Sequence, residues 1–397
     1  MSSTDKTRKV AIICGYFYEG PEHMGGAEYQ MHLWTKYLLE REKSLQIYYL
    51  FPSSKVKTIS VKRISKRLIL YEFPKMKMLG KLGNTHWYYT FYVYKLMKFL
   101  DPDIVLIRSL LNLGLGAVIF ARKYRKKAIW WCSQDNETSK NYLKPISVKK
   151  PLNLVSVFFE KLVKEKVHER VFQTEDQKFE FERNFNLSGN VIPNIIDPSE
   201  IISPHRKETL LLQKITGPKK VIWVENLKEI KRPELFIKLA KNILKEDKTV
   251  EFMMIGRIAS KKYTTINLEI SHLENVFFLG FKSQEEVYQL LEQAYLLVNT
   301  SISEGFPNVF LQAFAKGVPV VSLKVNPDDI FNKFEVGYCA NGDFIKFVKL
   351  VRLILQNPEL YIKLANNALQ YAAIHHHPEN YLLEIKKILD IEQINSG

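Results

Sequence analysis

One short loop combines a carboxylate, a glycine and the start of a helix. Residues 303–308 read Ser-Glu-Gly-Phe-Pro-Asn and follow a predicted buried strand, Tyr295 to Asn299. The Glu304 carboxylate can accept hydrogen bonds from hydroxyls, Gly305 permits close approach of a ligand to the backbone, and Pro307 suits a first helical turn. Amides at such a turn bind anions, and the candidates here belong to Phe306, Asn308 and Val309. The loop therefore predicts a site for a ligand that carries both hydroxyls and phosphate, such as a sugar diphosphate.

The elements that position this loop alternate short apolar runs with amphipathic helices, a pattern typical of parallel sheets. One series runs from the strand Lys9 to Cys14 as far as residue 193, and a second begins with the strand Val221 to Val224. The polar stretch Ser199 to Pro218 is predicted to link them. Ligands of doubly wound sheets bind beyond the carboxyl ends of strands, where Glu304 lies. Gln312, eight positions further on, is expected to reach another hydroxyl pair.

The positive charge of the chain is concentrated in one segment. The protein has 397 residues and a net charge of +16, and residues 55–100 hold eleven Lys or Arg against one acid, Glu72. Aromatic side chains are interleaved with these charges at Tyr71, Phe73, Trp87, Tyr88, Tyr89, Phe91, Tyr92, Tyr94 and Phe99. Basic and aromatic residues together favour an anionic membrane surface as partner. A solvated face beside ordinary core aromatics is the alternative, and nucleic acid is not expected because no nucleic-acid motif occurs.

Other composition features bound the compartment. No apolar run reaches the roughly 18 residues of a membrane span. The cysteines, Cys14, Cys132 and Cys339, are widely separated and fit a reducing cytoplasm. We therefore predict a cytoplasmic protein, peripheral at the inner face of the cell membrane. The run His375 to His377 is interpreted as a solvated loop, and no metal site is predicted.

The segment from Ser303 to Val321, SEGFPNVFLQAFAKGVPVV, resembles the donor-binding segment of retaining family 4 glycosyltransferases of the GT-B fold. The resemblance implies an α/β protein with two Rossmann-like, doubly wound parallel-sheet domains that face a cleft. Residues 1–198 would form the acceptor domain, with a C-terminal helix in 378–397 packing back on it. Residues 199–377 would form the nucleotide-sugar donor domain.

The same resemblance assigns roles to residues of the second domain. Of the two glutamates of the family, the one that touches the donor sugar corresponds to Glu304, and Gln312 stands where the other touches the ribose. In the diphosphate clamp, Lys231 matches the lysine, whereas Asn226 falls on the arginine. Lys228 or Arg232 is expected either to supply the missing charge or to lie in a solvated loop. The stretch that ends in Phe281 resembles the loop whose backbone meets the nucleotide base.

In the first domain, Gly25 and Gly26 resemble the glycine loop that approaches the donor phosphate. Many relatives carry a histidine after the strand that corresponds to Ala128–Cys132, and here Gln134 and Asp135 take its place as candidate contacts to donor or acceptor. Asp135 can instead cap a turn. Arg108, at the end of another strand, is expected either to hold an acceptor phosphate or to be a surface charge.

The resemblance implies transfer of a sugar from UDP- or GDP-sugar to a glycan acceptor, either lipid-linked or a bacterial surface polysaccharide. Configuration would be retained without metal or cofactor, with Glu304 and Lys231 as catalytic residues and the departing diphosphate as the group that takes the acceptor proton. Two alternatives stay open, a nucleotide-sugar 2-epimerase and a non-catalytic GT-B sugar-binding or partner subunit. Gln312 and Asn226, which depart from the family pattern, favour the second.

Overall fold

The computed structural model describes residues 7–15, 25–75, 89–109, 111–139 and 152–391. The chain forms two compact units. The first consists of Met1–Pro193 together with Tyr381–Gly397, and the second is Asn194–Asn380.

The first unit is built on an eight-stranded sheet with the order β3-β4-β2-β1-β5-β6-β7-β8. All neighbouring strands are parallel except β3 and β4, which form an antiparallel pair at one edge. Its strands are β1 (Arg8–Ile13), β2 (Leu45–Ser53), β3 (Ser60–Arg63), β4 (Leu68–Pro74), β5 (Ile104–Arg108), β6 (Lys127–Trp131), β7 (Glu169–Phe172) and β8 (Asn190–Val191).

The described helices of this unit are α1 (Gly26–Arg41), α2 (Tyr89–Leu100), α3 (Leu111–Lys123), α4 (Leu152–Lys166) and α5 (Glu175–Phe185). Helices α2, α3 and α4 pack side by side, with α3 in the middle. A Cβ on Gly116 of α3 would lie 2.0 Å from the carbonyl oxygen of Thr90, so the α2–α3 crossing requires glycine there.

The second unit contains a six-stranded parallel sheet with the order β11-β10-β9-β12-β13-β14. Sheets covered on both faces select continuous apolar strands, and Ile222, Trp223 and Val298 are accordingly at most 1% exposed. The strands are β9 (Lys220–Val224), β10 (Glu251–Ile255), β11 (Val276–Gly280), β12 (Leu296–Asn299), β13 (Val320–Ser322) and β14 (Gly337–Cys339).

The helices of the second unit surround this sheet. They are α6 (Pro204–Thr216), α7 (Pro233–Ile243), α8 (Ile266–Ile270), α9 (Gln284–Gln293), α10 (Asn308–Ala315), α11 (Ile330–Phe334), α12 (Phe344–Gln356) and α13 (Pro358–His375). Helix α6 corrects the prediction that residues 199–218 are a linker. Its residues Leu210 and Leu211 are buried, and Lys214 donates to the carbonyl of Lys316 at 2.8 Å.

After the second unit, the chain returns to the first as helix α14 (Leu382–Ile388). Lys386 of α14 forms an ion pair with Glu42 at 2.8 Å. Beyond the helix, the carbonyl of Asp390 accepts a hydrogen bond from the Arg8 guanidinium at 2.6 Å, and its carboxylate pairs with Lys127 at 2.8 Å.

The basic segment contains two strands that the sequence pattern did not predict. Strand β3 is short, basic and exposed, whereas β4 is mostly apolar and largely buried. Helix α2 is described from Tyr89, and Trp87 and Tyr88 lie outside the described residues. Tyr71, Phe73 and Tyr89 are at most 8% exposed, as expected for core aromatics. Within the described part of the chain, no helix is long and apolar enough to span a bilayer.

Candidate functional site

A lysine held between two carboxylates forms the centre of the candidate site. The Lys231 Nζ lies 2.6 Å from Oε2 of Glu304 and 2.9 Å from Oε2 of Glu225. All three side chains are largely buried, between 14% and 17% exposed. Glu225 follows β9 directly and Glu304 follows β12, two adjacent strands of the parallel sheet. The cluster therefore lies at the carboxyl edge of the sheet, where this fold class binds ligands.

Side chains at the end of β12 fix this cluster in place. Asn299 donates from its amide nitrogen to Oε1 of Glu304 at 2.9 Å. The hydroxyl of Thr300 donates to the carbonyl of Lys231 at 2.6 Å and accepts from the indole of Trp223 at 2.9 Å. Because these groups are buried and directly bonded, the loop that carries Lys231 and the loop that carries Glu304 are held in a fixed position relative to each other.

The electrostatics of the three groups are coupled. Burial and the neighbouring charge of Glu304 raise the pKa of Glu225 to about 8. Burial alone would also raise the pKa of Glu304, but Lys231 outweighs it and the pKa is lowered. Burial opposes the charge of Lys231, yet the two carboxylates dominate and raise its pKa. The coupling therefore favours the protonated form of Glu225 beside the ion pair of Lys231 and Glu304.

The loop before α10 is fastened by residues distant in sequence. The side-chain amide nitrogen of Asn194 donates to the backbone carbonyl of Phe306 at 3.0 Å and to Oδ1 of Asn308 at 3.1 Å. Asn308 begins α10, so its amide and that of Val309 lie in the first turn, whose N–H groups have no intrahelical acceptor. Gly305 is partly exposed between Glu304 and this turn.

The histidine run is not a solvated loop throughout, which corrects that prediction. His376 is 2% exposed, its Nδ1 lies 2.6 Å from the carbonyl oxygen of Asn194, and its ring is 5.0 Å from that of Phe306. Burial lowers the pKa of His376 to about 4, so the imidazole is neutral at physiological pH. His376 is therefore a buried support of the loop before α10.

Gln312 occupies the second turn of α10 and is 4% exposed. Its amide nitrogen donates to the side-chain carbonyl of Gln284, the first residue of α9. In this arrangement the side chain joins two helices. The predicted contact of Gln312 with a ribose stays a prediction.

Three loops at the carboxyl edge are bonded to one another around Asn226. Its Oδ1 accepts from the backbone amide of Arg257 at 3.3 Å. The Arg257 guanidinium carbon lies 4.0 Å from the ring centre of Phe281, which is 38% exposed. Gly256 has φ +146°, and a Cβ on it would meet the carbonyl oxygen of Glu225 at 1.8 Å. Only glycine therefore lets the loop after β10 approach the loop after β9 this closely.

The two other candidate cations of this region differ in role. Arg232 donates from Nε to the carbonyl of Thr300 at 2.8 Å and from Nη2 to that of Ser301 at 3.3 Å. The Arg232 guanidinium thus supports the loop after β12. Lys228 is exposed at the start of the short turn that leads to Lys231.

In the first unit, the predicted glycines lie at the start of α1. Gly25 precedes the helix, and Gly26 is its first residue. The carboxylate of Glu28 lies close to this turn, because a Cβ on Gly25 would be 2.6 Å from its Oε2. Burial raises the pKa of Glu28, against the opposing effect of hydrogen bonds from the turn and of the Arg108 charge. The predicted contact of Gly25 and Gly26 with a donor phosphate stays a prediction.

Arg108 ends β5 and is 1% exposed, so the expectation of a surface charge is wrong. Its guanidinium carbon lies 5.1 Å from the ring centre of Trp131. Gln134 is exposed after β6. Asp135 begins a short 3-10 turn and accepts from the amide of Gln177 at 3.1 Å. These positions lie at or just after the ends of strands of the first sheet, and their contacts with donor or acceptor stay predictions.

Sequence reasoning did not identify Glu225, Asn194 or Arg257. Glu225 carries one available signal, a charged residue directly after an apolar strand. The contacts of Asn194 with residues more than 110 positions away have no local signal. Among the described residues, no group of three or more His, Cys, Asp or Glu side chains is arranged to hold a metal ion.

Solved structures with the same architecture define the class. Sucrose-phosphate synthase from Thermosynechococcus elongatus superposes with a TM-score of 0.75 at 13% identity, covering 96% of this chain and 98% of the other. HepE of Anabaena, solved with UDP and glucose, superposes with a TM-score of 0.68 at 16% identity, covering 96% and 99%. The two parallel-sheet α/β units are those of the GT-B fold.

A sequence comparison covers most of the second unit. Residues 211–371 match the model of the glycosyl transferases group 1 family. The poly(ribitol-phosphate) alpha-N-acetylglucosaminyltransferase of Staphylococcus aureus strain COL is 27% identical over 195 residues, 48% of this chain and 37% of that protein. Alignments with the curated relatives span between 37% and 62% of their lengths, about half on average.

Proposed function

We propose that this protein transfers a hexose from a nucleotide sugar to a glycan acceptor, with retention of anomeric configuration and without a metal ion or cofactor. The observation that carries the proposal is the Lys231 ammonium between Glu225 and Glu304, the second of which lies on the loop that leads into α10. An ammonium group has three N–H donors. Two serve the carboxylates, and the third is suited to an oxygen of the donor diphosphate.

The proposed reaction breaks the bond between the anomeric carbon and the diphosphate oxygen and forms a bond to the acceptor oxygen on the same face. The acceptor proton passes to the departing diphosphate. Glu304 orients the sugar hydroxyls, and Lys231 with the amides of Asn308 and Val309 stabilises the developing negative charge. The rate enhancement then comes from positioning and charge stabilisation, which matches the rigid, cross-bonded loops around Lys231.

The donor is proposed to be a UDP- or GDP-sugar. The solved relative from Anabaena that binds UDP and glucose supports UDP. The family resemblance supports a diphosphate clamp at Lys231. The acceptor is proposed to be a lipid-linked or surface glycan, and the relative that acts on poly(ribitol phosphate) supports a surface polymer.

A thermal-shift screen against UDP, GDP, ADP and their hexose conjugates tests the donor. A ligand at 100 times its dissociation constant adds about 2.7 kcal/mol of stability, which corresponds to a rise of about 5–10 °C in melting temperature for a unit of this size. We expect such a rise with UDP or GDP and a much smaller one with the parent nucleosides. Melting temperatures unchanged by every nucleotide would contradict the proposal.

Product analysis separates the rival functions. The wild-type protein is expected to release nucleoside diphosphate in proportion to glycan product, and only when acceptor is present. An isomerised nucleotide sugar formed without acceptor would instead establish a 2-epimerase. Donor binding without turnover over a broad acceptor panel would establish a sugar-binding or partner subunit, the function that the bond between Gln312 and Gln284 favours.

We propose an anionic membrane surface as the partner of the first unit, which would place the protein at the inner face of the cell membrane. The β3 segment is exposed along its length and carries Lys62 and Arg63 beside Val61, which is 56% exposed. On α2, Phe91 and Phe99 are 64% and 77% exposed. Basic and aromatic groups on one unit support adsorption through charge and shallow apolar contact.

Charge reversal at Lys57, Lys62, Arg63 and Lys66 tests this partner. Each basic residue near an anionic surface contributes about 1 kcal/mol, so we expect binding to phosphatidylglycerol vesicles to fall at least about 100-fold. Arg67 is left unchanged because it donates to the carbonyl of Glu42 at 2.7 Å. Sedimentation with phosphatidylglycerol and with phosphatidylcholine vesicles measures the effect.

The matched control reverses four exposed lysines of the second unit, Lys241, Lys245, Lys248 and Lys349. It is expected to keep vesicle binding close to that of the wild type. Equal loss in both variants would indicate a dependence on net charge alone, and the absence of any preference for anionic vesicles would remove the membrane from the proposal.

A further inference from the structure

The centre of the candidate donor site has too little positive charge to balance a bound diphosphate. At neutral pH the ammonium of Lys231 is balanced by the carboxylate of Glu304, and Glu225 adds a second carboxyl group at 2.9 Å. A nucleotide-sugar diphosphate brings two further negative charges, which are costly to desolvate without matching cations. This inference rests on the proposed function and asks which side chain supplies the second positive charge.

No other side chain of the loop that carries Lys231 is positioned to supply this second positive charge. Arg232 has its Nε and Nη2 committed to the carbonyls of Thr300 and Ser301. Lys228 is exposed, and a lone solvated lysine contributes little because water screens its charge. Asn226, at the position where the resembled family carries arginine, is neutral.

Arg257 is the cation that the fold brings beside Asn226. It follows β10, and Gly256 allows its backbone to approach the loop after β9. The amide of Arg257 donates to Oδ1 of Asn226 at 3.3 Å, and the carbonyl of Arg257 accepts from the amide of Leu227 at 2.7 Å. The two loops are therefore bonded to each other at residues 226 and 227.

Phe281 orients the guanidinium of Arg257. The ring centre lies 4.0 Å from the guanidinium carbon, a distance typical of a cation–π contact. Such stacking uses the face of a guanidinium, whereas phosphate is recognised through the N–H groups at its edge. The Phe281 contact is thus compatible with phosphate binding and reduces the side-chain freedom that binding would otherwise have to remove.

We infer that Arg257, positioned by Asn226 and Phe281, binds the diphosphate of the donor in place of an arginine on the loop after β9. The positive charge then lies on the loop after β10 and not on the loop after β9. Asn226 holds the backbone of Arg257 in place by accepting from its amide. The substitution at residue 226 is then a relocation of the positive charge, and the site keeps its ability to bind a diphosphate.

Calorimetric titration of the full-length protein tests the inference with the best-binding member of UDP, GDP and ADP and with its parent nucleoside. Arg257→Gln is expected to weaken diphosphate binding about 10- to 100-fold, the effect of losing hydrogen bonds to a charged group. Affinity for the nucleoside should change less than about twofold, since it has no phosphate. Arg257→Lys should recover part of the loss, because it restores the charge without the planar fork.

The matched control is Lys228→Gln, an exposed cation of the adjoining loop, which is expected to bind the diphosphate as the wild type does. The swap Asn226→Arg with Arg257→Gln should recover most of the affinity. If Arg257→Gln binds the diphosphate as the wild type does, whatever the effect of Lys228→Gln, the inference is wrong and the proposed function stands. If the wild type binds no nucleoside diphosphate, the proposed function and the inference both fail.

Discussion

Replacing Glu304 by glutamine is expected to lower the rate of sugar transfer at least about 100-fold, the range measured when one preorganised catalytic contact is lost. Glutamine keeps the volume of the side chain and an oxygen for the 2.9 Å bond from Asn299. It removes the charge that pairs with Lys231 at 2.6 Å and one of the acceptors for sugar hydroxyls. Steady-state kinetics with saturating donor should place the loss in kcat more than in KM.

The matched control for this variant is Glu229→Gln in the turn before Lys231. Glu229 is exposed and accepts from the hydroxyl of Ser260, so its loss should leave turnover within about twofold of the wild type. Turnover of Glu304→Gln close to that of the wild type would show that the carboxylate does not orient the sugar. Equal losses in both variants would point to a disturbance of the whole loop.

Replacing Lys231 by methionine is expected to destabilise the protein by about 3–5 kcal/mol at pH 8, because it leaves two buried carboxyl groups without the cation that stabilises their negative charge. The loss should shrink as the pH falls toward 5. Without the ammonium, both Glu225 and Glu304 have folded-state pKa values above their unfolded values. The folded variant then binds more protons than the unfolded chain between those values, so its stability decreases as the pH rises. Chemical unfolding at several pH values measures this difference from the wild type.

A second variant checks the cause of this loss. Lys231→Met combined with Glu225→Gln leaves one carboxylate in the cluster and should recover a large part of the stability at pH 8. Lys228→Met, in the same loop but exposed, should unfold as the wild type does. A loss that is the same at every pH would mean that lost packing, and not uncompensated charge, accounts for the effect of Lys231→Met.

The sequence predicted the parallel sheets because strands such as β9 and β12 are buried and apolar throughout. It failed at β3 and β4, where an antiparallel edge with one exposed strand breaks the apolar pattern. It also missed α6, whose polar exposed face resembled a linker although Leu210 and Leu211 are buried. Local pattern does not register burial that comes from distant parts of the chain.

The candidate site shows the same division. Glu304 and Lys231 were predicted from motif positions, and the structure brings them into direct contact. The groups that set their electrostatics, above all Glu225, depend on which strands are neighbours in the sheet, and strand order is not written in any local motif. His376 was misjudged for the same reason, since its partner Asn194 lies 182 positions earlier in the chain.

The bond between Asn194 and His376 also has a topological consequence. Asn194 is the first residue of the second unit, and His376 lies four residues before its last, Asn380. The amide of Ile196 adds a bond of 3.0 Å to the carbonyl of His376. The second unit is thus an insertion whose two ends are hydrogen-bonded to each other. Domains whose chain ends lie close together tolerate excision and insertion into other proteins. Residues 194–380 therefore have the chain layout of a domain that can be transferred, with the neutral His376 joining its two ends.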